Sequence, residues 1–184
     1  MELNSTITLY HGTGLPHTSI DLDKSDDFKD FGRGYYLTSY LEQAERWAMK
    51  RGESKGHCWV YTYTLASFSC EDFTIYEFLE YNEDWLKFIT ENRKYGNCPP
   101  CDIIYDRMAD NQFDDLREAI DMYAQKRLSA KAALKKIKFK DGQNRDQYCF
   151  KTPKAIAVLQ RTATVEYVRA GDTWEKIELR GDHT

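Results

Sequence analysis

The chain has 184 residues, 41% of them hydrophobic and 30% charged, which is the size and balance of one soluble globular domain able to bury a core. A net charge of −4 at pH 7 excludes a whole-molecule electrostatic match to nucleic acid, and no apolar stretch reaches the length of a membrane span. The opening "MELNSTITLY" has neither a basic region nor a long apolar run, so no signal peptide is expected and the cytoplasm is the predicted location.

Residues 5–10 alternate, with Ile7 and Leu9 on one side and Thr6, Thr8 and Tyr10 on the other, which predicts a strand leading to "HGTG" at 11–14. "GLPHTSIDLDKSDD" then has the composition of a loop. A short second strand is expected around Tyr35 to Thr38, handing directly to a helix. Ser39 and Glu42 have the spacing of a capping box, and Leu41, Ala44 and Ala48 recur at helical intervals. "CWVYTYTL" predicts a strand with Trp59, Tyr61, Tyr63 and Leu65 on one face. Ile75, Phe78, Leu79, Trp85, Leu86 and Ile89 form a helical stripe expected in the core. "DIIYD" at 102–106 reads as a short buried strand, and one or two helices follow through Leu116 to Ile137, with Ser129 suited to cap the second. "DQYCF" at 146–150 reads as a strand, Thr152 and Pro153 as the start of a short helix, and the tail as a hairpin turning at "AGD". Strands outnumber what a regular βαβ alternation gives and helices come in blocks, which predicts an α+β fold as a single domain over 1–184. "GRG" at 32–34 lacks the third glycine of a dinucleotide-fold fingerprint.

The five cysteines are odd in number and scattered in a chain too long to need staples. Cys98 and Cys101 form a C-x-x-C in "GNCPPC", readable as a redox or metal pair or as a proline turn flanked by ordinary cysteines. A second ligand pair is missing and the four histidines have no helical metal spacing, so no metal is expected. Residues 126–154 carry ten basic side chains against two acidic ones, a solvated helix face or a track for phosphates.

Chemistry is suggested by three separated fragments. Breaking the bond from a ribose to a cationic aromatic leaving group needs a flat π-face for the cation and backbone groups for its amide. It also needs a side chain that fixes the ribose hydroxyls. Gly12 after His11 would let the backbone approach a ligand, Tyr36 after Gly32 and Gly34 offers a ring on a rigid strand, and a polar residue on a third strand could hold the ribose.

"YHGT" at 10–13, "GRGYYLTS" at 32–39 and "DQYCFKTP" at 146–153 resemble, in order and spacing, the three motifs of ADP-ribosyltransferases. The likeness is to the branch with a histidine, a tyrosine and a glutamate, shared by diphtheria toxin and the poly-ADP-ribose polymerases, and within it to small bacterial domains. It spans about residues 7–158. The resemblance implies two small, roughly perpendicular sheets, antiparallel or mixed, flanked by helices around a cleft for NAD as co-substrate. It implies transfer of ADP-ribose to a protein or nucleic-acid acceptor with release of nicotinamide. It also implies a toxin-like role beside a small antitoxin protein.

Carried over by position, His11 would bond the nicotinamide-side ribose, Gly12 the carboxamide, and Tyr36 would stack on nicotinamide, with Thr13, Arg33 and Gly34 completing the NAD contacts. Tyr35 should face the other side of the strand as a core aromatic, the two exchanging roles if the register slips by one. Gln147 stands where the family has glutamate. Its amide can hold a ribose hydroxyl but cannot act as a base or supply a negative charge. Asp146, Asp106 or Asp110 could supply that charge instead, and Arg107 could hold a pyrophosphate or pair with Asp106. The alternative to a mono-ADP-ribosyltransferase is a non-catalytic NAD- or nucleotide-binding module controlled by a protein partner.

Overall fold

The computed structural model describes residues 3, 6–96, 98–106, 114–138 and 146–179. The fold is α+β, with two four-stranded sheets. The first takes β1 (Thr8–Thr13), β3 (His57–Leu65), β7 (Leu159–Ala170) and β8 (Thr173–Leu179) in the order β1-β3-β7-β8, every pair antiparallel. The second takes β2 (Tyr35–Leu37), β6 (Gln147–Phe150), β5 (Ile103–Asp106) and β4 (Ile75–Phe78) in the order β2-β6-β5-β4, with only β4 and β5 parallel. A two-bond bridge between Tyr10 and Thr38 joins the sheets along the edges of β1 and β2.

Alternation sorts the side chains. Leu9, Tyr61, Tyr63 and Leu65 of the first sheet meet Tyr35, Leu37, Ile103, Tyr105, Tyr148 and Phe150 of the second in one shared core. The opposite face of the second sheet, with Cys149 and Ile104, is covered by Trp85, Leu86 and Ile89 of α2 (Glu83–Tyr95) and by α3 (Asp114–Ala124) and α4 (Ala130–Lys138). The outer face of the first sheet takes α1 (Leu41–Gly52), which buries Ala44 and Ala48 against Cys58, Val60 and Tyr167. The short α5 (Pro153–Ile156) starts as its sequence predicts: Thr152 Oγ1 accepts from the Ala155 N–H and Pro153 takes the first position.

Three expectations change. The "HGT" motif does not follow the first strand; it lies inside it, because β1 pairs with β3 as far as Thr13. The apolar stripe from Ile75 to Ile89 is not one helix. Ile75–Phe78 pairs with β5, Leu79 is 49% exposed, and the helix begins only at Glu83, where the Asn82 side chain accepts from the Trp85 N–H. The Ser39 capping box does not form: α1 begins at Leu41, and the Ser39 hydroxyl bonds the Asp146 carboxylate instead. A buried carboxylate is the stronger acceptor for that hydroxyl.

Candidate functional site

The site begins where the two sheets part. Tyr10 exchanges both main-chain bonds with Thr38, at 2.7 and 3.0 Å. Alternation along β1 then turns the N–H and C=O of Gly12 to the same edge, opposite Tyr36. Continued pairing would give Gly12 the Tyr36 carbonyl. The His11 imidazole takes that carbonyl instead, with Nδ1 at 2.7 Å. The ladder therefore ends in a notch, and no described residue bonds Gly12 across it. A donor and an acceptor side by side are what a primary carboxamide can match.

Because a carbonyl only accepts, His11 Nδ1 carries the hydrogen and Nε2 presents a lone pair. Burial holds the imidazole pKa down at about 4, so the ring is neutral at pH 7. It stacks on Tyr35 at 4.2 Å, and the Tyr35 hydroxyl reaches Tyr63 and His17, both at 3.0 Å. Tyr35 is thus the platform beneath the histidine as well as a core aromatic, a role its sequence position gave no sign of.

Gly12 is explained by packing as well as by ligand approach. A Cβ there would stand 2.0 Å from the Ala44 carbonyl oxygen, and one at Gly14 would stand 2.4 Å from that of Arg51. The two glycines let the backbone of α1 lie directly on β1. Thr13 Oγ1 closes a local turn with the Leu15 N–H at 3.2 Å.

The turn ahead of β2 is tied from several sides. Gly32 has φ +69, the left-handed region that favours glycine. The Tyr36 hydroxyl donates to the Gly32 carbonyl at 2.5 Å and accepts from the Phe31 N–H at 3.2 Å. Gly34 has no room for a side chain, because a Cβ would meet Cys149 Sγ at 2.3 Å, and its N–H donates to Ser25 Oγ. Lys29 Nζ lies over the Tyr36 ring at 5.0 Å and donates to Ser25 Oγ at 3.3 Å. Burial lowers its pKa, and Arg51 is close enough to lower it further. Arg51 itself sits over the exposed Trp47 ring at 4.7 Å.

Gln147 opens β6, two residues before Cys149, which pairs with Tyr36. Period two puts Gln147 and the Tyr36 row on one face of the sheet, about 7 Å apart along the strand. Asp106 is its cross-strand partner. The Asp106 carboxyl is fully buried, accepts from Trp85 Nε1 at 2.8 Å through one oxygen and has no hydrogen-bond partner at the other. Burial pushes its pKa well above the usual carboxylate value, against the hydrogen bond from Trp85. Asp146 accepts from Thr38 Oγ1, the Ser39 N–H and Ser39 Oγ, at 2.8, 2.8 and 2.5 Å. It latches β6 to the start of α1, and burial raises its pKa too. Arg107 and Asp110 lie outside the described residues.

Arg33 sits in an ion-pair cluster, 2.8 Å from Asp23 and 2.9 Å from Asp27. The basic stretch is not one track. Lys126, Arg127, Lys131, Lys135 and Lys136 are exposed, whereas Lys151 donates to the Phe31 and Arg33 carbonyls and Lys154 to that of Asp72. Lys140 and Arg145 lie outside the described residues. Lys29, over the Tyr36 ring, and Arg51, near enough to influence Lys29, went unnoticed in the sequence, because their helix and loop are joined only by the fold.

The architecture is thus an α+β pair of sheets with a polar notch at the edge where they meet. Residues 7–161 match the family described as protein of unknown function (DUF3990), and the chain belongs to that family. No curated protein and no solved structure matches the chain. No helix among the described residues is long and apolar enough to cross a membrane.

Proposed function

We propose that the notch binds NAD and that the protein transfers ADP-ribose from it to a macromolecular acceptor, releasing nicotinamide. The observation that carries this reading is the open Gly12 edge, freed because His11 occupies the Tyr36 carbonyl. In this reading the carboxamide bonds the Gly12 main chain, the Tyr36 ring stacks on nicotinamide, and His11 Nε2 accepts from a ribose hydroxyl. The Gln147 amide holds the same ribose. Lys29 and Arg51 take the diphosphate in place of Arg33, whose charge is satisfied by Asp23 and Asp27. As Lys29 moves to the phosphates it vacates the Tyr36 ring for the nicotinamide cation.

A second reading, an NAD-binding module without turnover, is favoured by one observation. Among the described residues neither carboxyl beside Gln147 is a free, solvated anion: Asp106 is buried against Trp85 Nε1 with its pKa raised by burial, and Asp146 is engaged by Ser39 and Thr38. Nothing there would offset the charge that develops as the glycosidic bond breaks.

The test is transfer from labelled NAD in host lysate by the wild type, His11→Ala and Tyr36→Ala. A labelled macromolecule lost in both variants supports transfer and gives the acceptor class; an antitoxin partner would suppress it. NAD binding by calorimetry without consumption supports the second reading, and absence of both rejects the two together.

A further inference from the structure

The C-x-x-C at 98–101 plays no part in that function, yet it abuts the turn that carries Tyr36. Cys98 is half-buried and Cys101 only 7% exposed, and the two thiols are near enough to shift each other's ionisation. Pro99 and Pro100 separate them, two residues whose fixed φ limits the conformations of the short loop between the cysteines. Cys98 Cβ lies 3.3 Å from where a Cβ on Gly32 would stand, and Lys151 Nζ lies 3.6 Å from the same point. That ammonium grips the carbonyls on both sides of Gly32, those of Phe31 and Arg33. Cys149 Sγ fills the space beneath Gly34. The dithiol, the lysine and the glycine turn thus form one contiguous cluster.

We propose that Cys98 and Cys101 are a redox-active pair that closes to a disulfide by exchange with a low-molecular-weight disulfide, and that the closure is transmitted through Lys151 to the Gly32–Gly34 turn. The proposal stands apart from the NAD reading.

The two sulfurs have unequal parts. The hydrogen bond from Cys101, together with Lys151, brings the Cys98 thiol down to about 7 against the penalty of burial, while Cys101 is raised by that bond and by burial. Cys98 thiolate attacks one sulfur of the external disulfide and expels the other half as a thiolate, which takes a proton from water. Cys101 then loses its proton to solvent, attacks the Cys98 sulfur and expels the second half. Two protein thiols are oxidised and one external disulfide is reduced to two thiols. Closure removes the negative charge that Cys98 offers Lys151. The same ammonium holds the turn whose Gly32 carbonyl accepts from Tyr36.

The test equilibrates the full chain in glutathione buffers from fully reduced to fully oxidised, blocks free thiols by alkylation and maps peptides by mass. The expected result is a Cys98–Cys101 disulfide while Cys58 and Cys149 stay reduced, as both are buried. Cys101→Ser should trap one glutathione on Cys98, and Cys98→Ser should leave Cys101 unmodified. Hydrogen exchange over residues 31–36 should be at least severalfold faster in the oxidised wild type, and unaffected by glutathione in the double serine variant. No disulfide in fully oxidised buffer overturns the site. A disulfide with unchanged exchange at 31–36 overturns the coupling. Both readouts use the wild type, so neither depends on a variant folding.

Discussion

Lys29 Nζ sits 5.0 Å above the centre of the Tyr36 ring, so the aromatic face proposed for a cationic leaving group already carries a cation of the protein's own. Its other contact is a neutral hydroxyl, Ser25 Oγ, and among the described residues no carboxylate pairs with it. Half-buried, it is a charge held near a ring rather than in an ion pair.

Lys29→Met separates the two roles that follow from this. Losing a charge-assisted contact of 1.5–3 kcal/mol should weaken ADP-ribose binding by about tenfold or more. Nicotinamide alone, which needs only the ring and the Gly12 edge, should bind no more weakly than to the wild type. Calorimetric titration with the two ligands checks this; equal loss for both would mean that Lys29 shapes the cleft rather than meeting phosphate.

The neutral His11 predicts an acid-sensitive fold. Its pKa is about 4 in the folded chain against 6.5 for the free side chain, the cause being burial. Between those values the unfolded state binds the extra proton, so stability is full above pH 6.5 and falls as pH drops toward 4. At about 1.4 kcal/mol per unit the loss approaches ~3 kcal/mol. His17, also lowered by burial, adds with the same sign. Urea unfolding at pH 6.5 and 4.5 should therefore show a steeper loss for the wild type than for His11→Gln. Equal losses would refute the neutral, buried imidazole.

The packing beneath the second motif predicts a coupled pair. A Cβ on Gly34 would lie 2.3 Å from Cys149 Sγ, whereas the next contact, the Phe150 carbonyl, stands at 3.1 Å and can be met by a small shift. Gly34→Ala alone should cost about 1–3 kcal/mol from overpacking. In a Cys149→Ala background, where the sulfur is gone, the same change should cost at least about 1 kcal/mol less. Thermal unfolding of the four proteins measures the difference, and an unchanged cost would place the strain in the backbone instead.

What the sequence revealed of this site followed local rules. Strand alternation set Tyr35 and Tyr36 on opposite faces, and Thr152–Pro153 and Ser129 marked helix starts, because each depends on a few neighbours along the chain. What it hid depended on distant partners. Ile75 and Phe78 have helical spacing to Trp85 and Leu86, but pairing with β5 decides them as a strand. Ser39 reads as a cap until Asp146 competes for its hydroxyl. Gly12 reads as room for a ligand, and only the path of α1 shows how closely the Ala44 carbonyl approaches. Lys29 and Arg51 have no motif at all, and their meeting is a product of the fold.

Gln147 gives the sharpest test of chemistry. It faces the same side as Tyr36 and stands across from Asp106, a carboxyl whose pKa is raised by burial. A carboxylate at position 147 would stand across from the unpartnered Asp106 oxygen, and could accept from it where that oxygen carries a proton. Gln147→Glu places a negative charge where an oxocarbenium-like state would develop, which should raise nicotinamide release by about tenfold or more at pH 7. The gain should carry an acid limb absent from the wild type, because residue 147 must be ionised to act and a half-buried site raises its pKa. NAD consumption by both proteins from pH 5 to 8 reads this out. A gain with that limb identifies a transferase held in check by its glutamine. No gain at any pH, with NAD still bound, means that position 147 faces no developing charge and that the notch serves binding alone.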